Sequence, residues 1–345
     1  MPIRVLIIDD SAVVRRTLEI ELSKDPMIEV VGTAIDPIFA QKKIEELRPD
    51  VLIMDVEMPR MDGLSFLKIL MAEKPMPVII FSSITQRGSP KAMEAMDLGA
   101  VDVLPKPGAS YTVGEMVEQL LEKVKGAAGS DLKKMKTIRD RAVQAKPLST
   151  GARGNARKLI ALGASTGGTV AIEWILRLLP DTLPGIAIVQ HMPEYFTRVF
   201  AERLDKICAL RVKEASEGDR LDAGTVLIAP GNRHMEVLKV QGAYAVTLHS
   251  GPLVRHQRPA VDVLFHSVAK SAGKEALGVI LTGMGSDGAE GMLAMKKSGA
   301  CNLGQDEASS VVYGMPREAF ERGALDAVVP LEAMAEKIIT CCREP

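Results

Sequence analysis

The chain has 345 residues, more than one compact domain usually holds, so about two domains are expected. Hydrophobic residues at 47% and charged residues at 25% exclude a disordered or fibrous chain, and 43 Lys plus Arg against 44 Asp plus Glu leave no global basic field for nucleic acid or acidic lipid. Cys208, Cys301, Cys341 and Cys342 have neither metal-ligand spacing nor the layout of a disulfide framework, no apolar run approaches the length of a membrane span, and Asp9 and Asp10 cut the N-terminal apolar run too early for a secretory signal; a cytoplasmic protein without membrane insertion is expected.

Apolar runs at Arg4 to Ile8, Ile28 to Ala34, Val51 to Met54, Val78 to Phe81 and Val101 to Leu104 predict strands buried on both faces, as in a parallel sheet. Val14, Leu18 and Leu22 keep a four-residue helical step between the first two. Asp36-Pro37 and Ser89-Pro90 each pair an N-cap with proline at the first helical position. Five βα units make a doubly wound, flavodoxin-like domain. A helix over Val113 to Val124 is followed by small, polar and basic residues without a sustained apolar face, which predict a linker. Strands resume at Lys158 to Leu162, Ile186 to Gln190, Val226 to Ala229 and Leu277 to Leu281. Helices are predicted at Val170 to Leu179 and Val261 to Ala272, and a hairpin joins His234–Val240 to Tyr244–Leu248 around Gln241-Gly242-Ala243. The second domain is therefore expected to be α/β, with a mostly parallel sheet and an antiparallel hairpin.

In a doubly wound sheet chemistry collects just past the carboxyl ends of the strands. Asp9 and Asp10 follow the first strand of the chain, Asp55 the third, Ser82 the fourth, and Lys106 the fifth. Three converging carboxylates repel one another without a hard cation, and oxygen ligands suit Mg²⁺. The set predicts phosphoryl transfer: Asp55 as nucleophile, Mg²⁺ held by Asp9, Asp10 and Asp55, and Ser82 and Lys106 contacting the phosphoryl oxygens. The plainer reading has Asp9 and Asp10 only capping a helix that starts near Ser11. The run VLIIDDS, the run DVEMPRMDG, Ser82 and Lys106-Pro107 resemble a response-regulator receiver domain over about residues 1–108. That resemblance implies a histidine kinase as phosphodonor. The family often carries an aromatic switch residue three positions before the lysine, where this chain has Val103.

After the strand ending at Leu162, Gly163-Ala164-Ser165-Thr166-Gly167-Gly168 fits G-x-S-x-G, with a helix starting near Thr169. A serine on such a turn presents its hydroxyl at the sheet edge, although a phosphate-cradling glycine loop or a plain connection uses similar residues. A serine needs a base. His191 directly follows the strand next to the Ser165 unit. His234 and His249 sit at the ends of the hairpin, His266 lies within a helix, and His256 lies among arginines. Asp287, in LTGMGSDG after the strand ending at Leu281, is the acid placed to orient an imidazole, or else an N-cap before Gly288.

The order Ser, His, Asp differs from that of α/β-hydrolases. Together GASTGG, QHMP, Ala229-Pro230-Gly231-Asn232, Arg258 through Phe265 and LTGMGSDG resemble the chemotaxis protein-glutamate methylesterase family, CheB, across essentially the whole chain. The resemblance implies a receiver over residues 1–124, a linker over 125–155 and a methylesterase domain over 156–345. It implies hydrolysis of glutamate methyl esters on chemoreceptors with release of methanol, deamidation of receptor glutamines, and no cofactor for the esterase. It also assigns attack to Ser165, proton transfer to His191, orientation to Asp287, an oxyanion-binding N–H to Met284, and a place beside the nucleophile to Thr166. A non-catalytic signalling module would not need Ser165, His191 and Asp287 all intact, and no helix-turn-helix follows the receiver to bind DNA.

Overall fold

The computed structural model describes residues 1–58, 60–82, 88–106, 113–149 and 158–343. Two compact units result, Met1–Lys133 and Lys134–Pro345. The first contains β1 (Ile3–Ile8), α1 (Ala12–Leu22), β2 (Ile28–Ala34), α2 (Pro37–Leu47), β3 (Val51–Met54), α3 (Gly63–Glu73), β4 (Val78–Ser82), α4 (Gly88–Leu98), β5 (Asp102–Pro105) and α5 (Val113–Ala128). Its five strands are parallel in the order β2-β1-β3-β4-β5. β3, β4 and β5 are buried at every residue, as a sheet covered on both faces requires. The chain reverses its direction of strand addition between β1 and β3, so a crevice opens at their carboxyl ends.

Local signals set the helix starts. Ser11 caps α1 through the Val14 amide, and Asp36 caps α2 by accepting from Ile38 and Phe39, with Pro37 at the first helical position. Asp62 caps α3 and also accepts from the Ser65 hydroxyl. α4 begins at Gly88, so Ser89-Pro90 falls within its first turn and not ahead of it; proline is tolerated there because the first amides of a helix have no carbonyl to meet. Pro107, Gly108 and the stretch 150–157 of the expected linker lie outside the described residues.

The second unit takes up α6 (Leu132–Ala142), then β6 (Leu159–Ala164), α7 (Gly168–Leu178), β7 (Gly185–Gln190), α8 (Phe196–Ile207), β8 (Arg211–Glu214), β9 (Thr225–Ile228), β10 (His234–Val240), β11 (Ala243–His249), α9 (Val261–Ser271), β12 (Ala276–Ile280), α10 (Ala289–Lys297), β13 (Cys301–Gln305), α11 (Met315–Glu321), β14 (Ala327–Val329) and α12 (Leu331–Arg343). Part of the expected linker is thus helical. α6 buries Met135, Ile138 and Ala142; Lys134 Nζ reaches the Ser310 carbonyl at 3.1 Å, and Leu148 N–H donates to the Leu178 carbonyl.

Seven strands form one fully parallel sheet, β14-β13-β12-β6-β7-β9-β8. Among the described residues, antiparallel ladder pairing is confined to the β10–β11 hairpin, whose two-residue turn, Gln241-Gly242, has φ of 50° and 84°. Ala243 pairs with Val240 and so belongs to the strand, not the turn. β6 sits between β7, which follows it in the chain, and β12, which returns after a long excursion. The switch point of this sheet is the carboxyl edge of β6 and β12.

Candidate active site

In the first unit the crevice holds a charged cluster. One carboxylate oxygen from each of Asp9, Asp10 and Asp55 lies within 4.8 Å of the others, with Asp9 and Asp55 buried and Asp10 exposed. Lys106 Nζ spans two of them, at 2.6 Å from Asp55 Oδ2 and 2.7 Å from Asp9 Oδ2. Asp55 Oδ1 accepts from the amides of Val56 and Glu57. Burial, reinforced by the nearby Asp9 charge, holds the Asp55 carboxyl above the ordinary carboxylate range despite Lys106. Lys106 is itself pulled down by burial but carried above its ordinary value by Asp55 and Asp9. The DVEMPRMDG run acquires a reason here. Gly63 packs onto the backbone of Asp55, where a Cβ would lie 2.5 Å from the Asp55 carbonyl oxygen, and Asp62 starts α3 directly beside it. Ser82 is buried at the end of β4, and its carbonyl accepts the Lys106 amide, so Ser82 and Lys106 flank the cluster from adjoining strands. Val103 is buried in β5 opposite Ile80. The donor set, all oxygen with two buried carboxylates sharing one ammonium, fits a small divalent cation.

In the second unit the corresponding crevice places a serine beside a histidine that is bonded to a carboxylate. Ser165 follows β6 and donates its N–H to the Thr282 carbonyl just past β12. β6 and β7 are paired up to Ala164 and Gln190, so Ser165 and His191 stand side by side one residue beyond, at the inter-strand spacing of about 4.8 Å. The His191 amide continues that ladder to the Ala164 carbonyl. His191 Nε2 is 2.7 Å from Asp287 Oδ2, and both residues are buried. A neutral imidazole that donates from Nε2 keeps a lone pair on Nδ1, so Nδ1 is the basic nitrogen. Ser165 Oγ and His191 form no hydrogen bond in this structure; such bonds tighten once substrate is seated.

Asp287 does cap a helix, though not the one that follows it. Gly288 is the N-cap of α10, which has no side-chain cap, whereas the Asp287 carboxylate accepts from Val261 N–H at 2.7 Å and Asp262 N–H at 2.9 Å, the first turn of α9. The positive end of α9 thereby faces the acid that binds His191. The run Arg258 through Phe265 thus meets Asp287 through its backbone, by the amides of Val261 and Asp262.

Small residues bring the pieces together. Gly163 lies against Val261, where a Cβ would come within 2.2 Å of Cγ1, so α9 can dock on β6. Gly167 has φ 78° and begins α7, with Val311 against it. Met284 is half-buried, its N–H donates to no described residue, and it follows Gly283, which packs against Ser165. Thr166 is buried behind the serine, its carbonyl held by the Thr282 hydroxyl. Sequence reasoning missed Gln190, whose amide donates to the Ser165 carbonyl, and Gln305, which receives the Thr282 amide; both are polar groups inside a sheet and leave no apolar pattern. The other histidines are elsewhere engaged or exposed. His234 accepts the Ala260 amide at Nδ1 and donates to the Pro252 carbonyl, while His249 lies 3.7 Å from Glu236.

A phospho-acceptor-like acidic pocket and a Ser-His-Asp constellation at two separate sheet edges define a regulated serine hydrolase. Comparison with known proteins agrees. Residues 5–118 match the response regulator receiver domain and residues 160–338 the CheB methylesterase family. A protein of Syntrophus aciditrophicus named protein-glutamate methylesterase/protein-glutamine glutaminase 2 is 51% identical over 98% of both chains. A protein of Syntrophotalea carbinolica named protein-glutamate methylesterase/protein-glutamine glutaminase is 51% identical over 99% of this chain and 98% of that one. The crystal structure of the Thermotoga maritima CheB methylesterase catalytic domain superposes with a TM-score of 0.52 at 37% identity, covering 53% of this chain and 98% of that one. The chain belongs to the CheB methylesterase family.

Proposed function

We propose that this protein hydrolyses methyl esters of glutamate side chains on chemoreceptors, releasing methanol, and deamidates receptor glutamines by the same acyl chemistry. The observation that carries the reading is the 2.7 Å bond from His191 Nε2 to Asp287 Oδ2 beside Ser165, on the adjoining strand end. Ser165 Oγ attacks the ester carbonyl while His191 Nδ1 takes its proton. The tetrahedral oxyanion is met by the unspent Met284 N–H, His191 returns the proton to the departing methanol, and water repeats the sequence on the acyl-enzyme. Asp287 orients the ring and offsets its charge. Thr166 seats the nucleophile's turn. The domains are taken as 1–124, 125–155 and 156–345.

Control lies with the first unit. Asp55 accepts a phosphoryl group from a sensor histidine kinase. Asp9, Asp10 and Asp55 would hold Mg²⁺, which when bound neutralises phosphoryl oxygens, while Ser82 and Lys106 contact the modified Asp55 and relay its state. The proposed place of action is the cytoplasm. Among the described residues no helix is long and apolar enough to cross a membrane. The test is methanol release from methylated chemoreceptor preparations. Release at a rate proportional to enzyme is expected; hydrolysis of small esters with receptors left methylated would refute the substrate assignment.

A further inference from the structure

The loop that leads into α9 contains a turn whose residues contradict its backbone. Val254 and Gln257 exchange both backbone hydrogen bonds, so Arg255-His256 is the two-residue tip of a tight hairpin. Both tip residues lie in the left-handed region, at φ 49° and 61°. Asn and Gly adopt that conformation readily and His tolerates it, whereas Arg255 pays for it in strain. A side chain that persists in such a position does so because something it touches requires it.

Arg255 touches three groups around Asp287. Its Nε is 2.9 Å from Asp262 Oδ2, its Nη1 is 3.1 Å from Ser286 Oγ, and its Nη2 is 2.8 Å from Glu290 Oε1. Ser286 is the residue before Asp287 in the chain. Asp262 provides one of the two amides that hold the Asp287 carboxylate, and its own Oδ1 accepts the Gly291 amide at 2.7 Å. One guanidinium thus clamps both sides of a single joint, the segment that carries the acid and the helix end that cradles it. The planar fork reaches three acceptors at fixed angles, which an ammonium cannot.

We infer that Arg255 is a positioning residue for the triad: through Asp262, Ser286 and Glu290 it fixes the Asp287 carboxylate, and through Asp287 the His191 ring. The inference rests on the proposed triad. Arg255 does not reach the reacting atoms, so its effect belongs to kcat and not to substrate binding.

The test is a kinetic cycle on the full-length protein with wild type, Arg255→Gly, Asp287→Asn and the double variant, supported by Arg255→Lys. Glycine relieves the strain at φ 49°, so Arg255→Gly is expected to keep a melting temperature close to wild type. It should lower kcat about 10- to 100-fold, the scale of a small misplacement of a catalytic group, with KM nearly unchanged. On the Asp287→Asn background the same change should cost less than about two-fold, because residues that act as one unit are not additive. Arg255→Lys should recover only part of the loss. A rise in KM with kcat unchanged, or an equal loss on both backgrounds, overturns the inference. Undiminished turnover in Arg255→Gly with a crippled Asp287→Asn overturns positioning alone, whereas undiminished turnover in Asp287→Asn overturns the triad reading beneath it.

Discussion

At the edge of the first sheet three carboxylates crowd one lysine; at the edge of the second a single carboxylate meets two helix amides and one imidazole. Both sites occupy the switch point of a parallel sheet, Asp9 and Asp10 with Asp55 past β1 and β3, Ser165 and Thr282 past β6 and β12. They differ in electrostatic completeness. The first has more negative charge than its single ammonium offsets, and burial holds Asp55 above the usual carboxylate range, so it is built to be completed by an incoming cation and phosphoryl group. In the second the Asp287 charge is already met by His191 and the amides of Val261 and Asp262, and the site takes a neutral ester. The difference separates a switch, whose charge must change, from a catalyst, whose charge must return to where it began.

The catalytic side of that comparison breaks most sharply at Asp287. Asp287→Asn should cut kcat by about 10⁴-fold with little change in KM, the scale of the same change in serine-protease triads. Steady-state methanol release gives the number, and a fall of only a few-fold would leave Asp287 as a cap for α9 and nothing more.

Asp55→Asn tests the switch. A small phosphoryl donor with Mg²⁺ should raise the methanol-release rate of the wild-type protein by about 5- to 150-fold, the range of ordinary coupling energies. The same mixture should leave Asp55→Asn at its basal rate, and chelating the metal before the donor is added should hold the wild type there too. Activation of Asp55→Asn would place the phosphoryl acceptor elsewhere.

Gly163→Ala should lower stability by about 1–3 kcal/mol, the usual cost of overpacking, because its Cβ would meet Val261 Cγ1 at 2.2 Å and push α9 away from β6. Thermal melts of the second unit's transition read this directly; an unchanged midpoint would show that α9 shifts freely.

The smallest effect concerns acid. Burial, aided by the His249 and Arg258 charges and opposed by the Pro252 hydrogen bond and Asp287, holds His234 below its ordinary value of 6.5. Its unfolded form therefore binds a proton more readily than its folded form. The stabilising contribution is complete above about 6.5 and is lost as pH falls from there toward the lowered value. Protonation at Nδ1 also removes the acceptor of the Ala260 amide, just ahead of α9. His234→Gln should flatten that part of the stability–pH curve, and an unaltered slope would assign it to another group.

Much of this arrangement is legible in the amino-acid sequence. The strands β2, β3 and β10 have the predicted ends and the other predicted strands differ by a residue or two; β3, covered on both faces, is an unbroken apolar run, whereas β2 at the sheet edge is only partly buried. The adjacency of Ser165 and His191 follows from consecutive βα units. β13 escapes because it buries Asn302 and Gln305, each of which serves backbone groups of neighbouring segments. β8 alternates exposed and buried residues at a sheet edge, and β14 has three residues. The role of the α9 N-terminus is invisible for a different reason. Val261 and Asp287 are 26 positions apart and are joined through a backbone amide, which carries no residue-type signal. Arg255 is hidden similarly, since its neighbours come from α9 and from both sides of Asp287.

The central claim is that Ser165 is the covalent centre of an ester hydrolase, and the most direct measurement is methanol release by Ser165→Ala. The variant's circular dichroism and melting temperature should match the wild type, because alanine fits a turn of small residues whose backbone bonds do not use the hydroxyl. Its turnover on methylated receptor should fall by about 10⁶-fold, the scale for losing a serine nucleophile. A folded Ser165→Ala protein that releases methanol at the wild-type rate would contradict the account at its root.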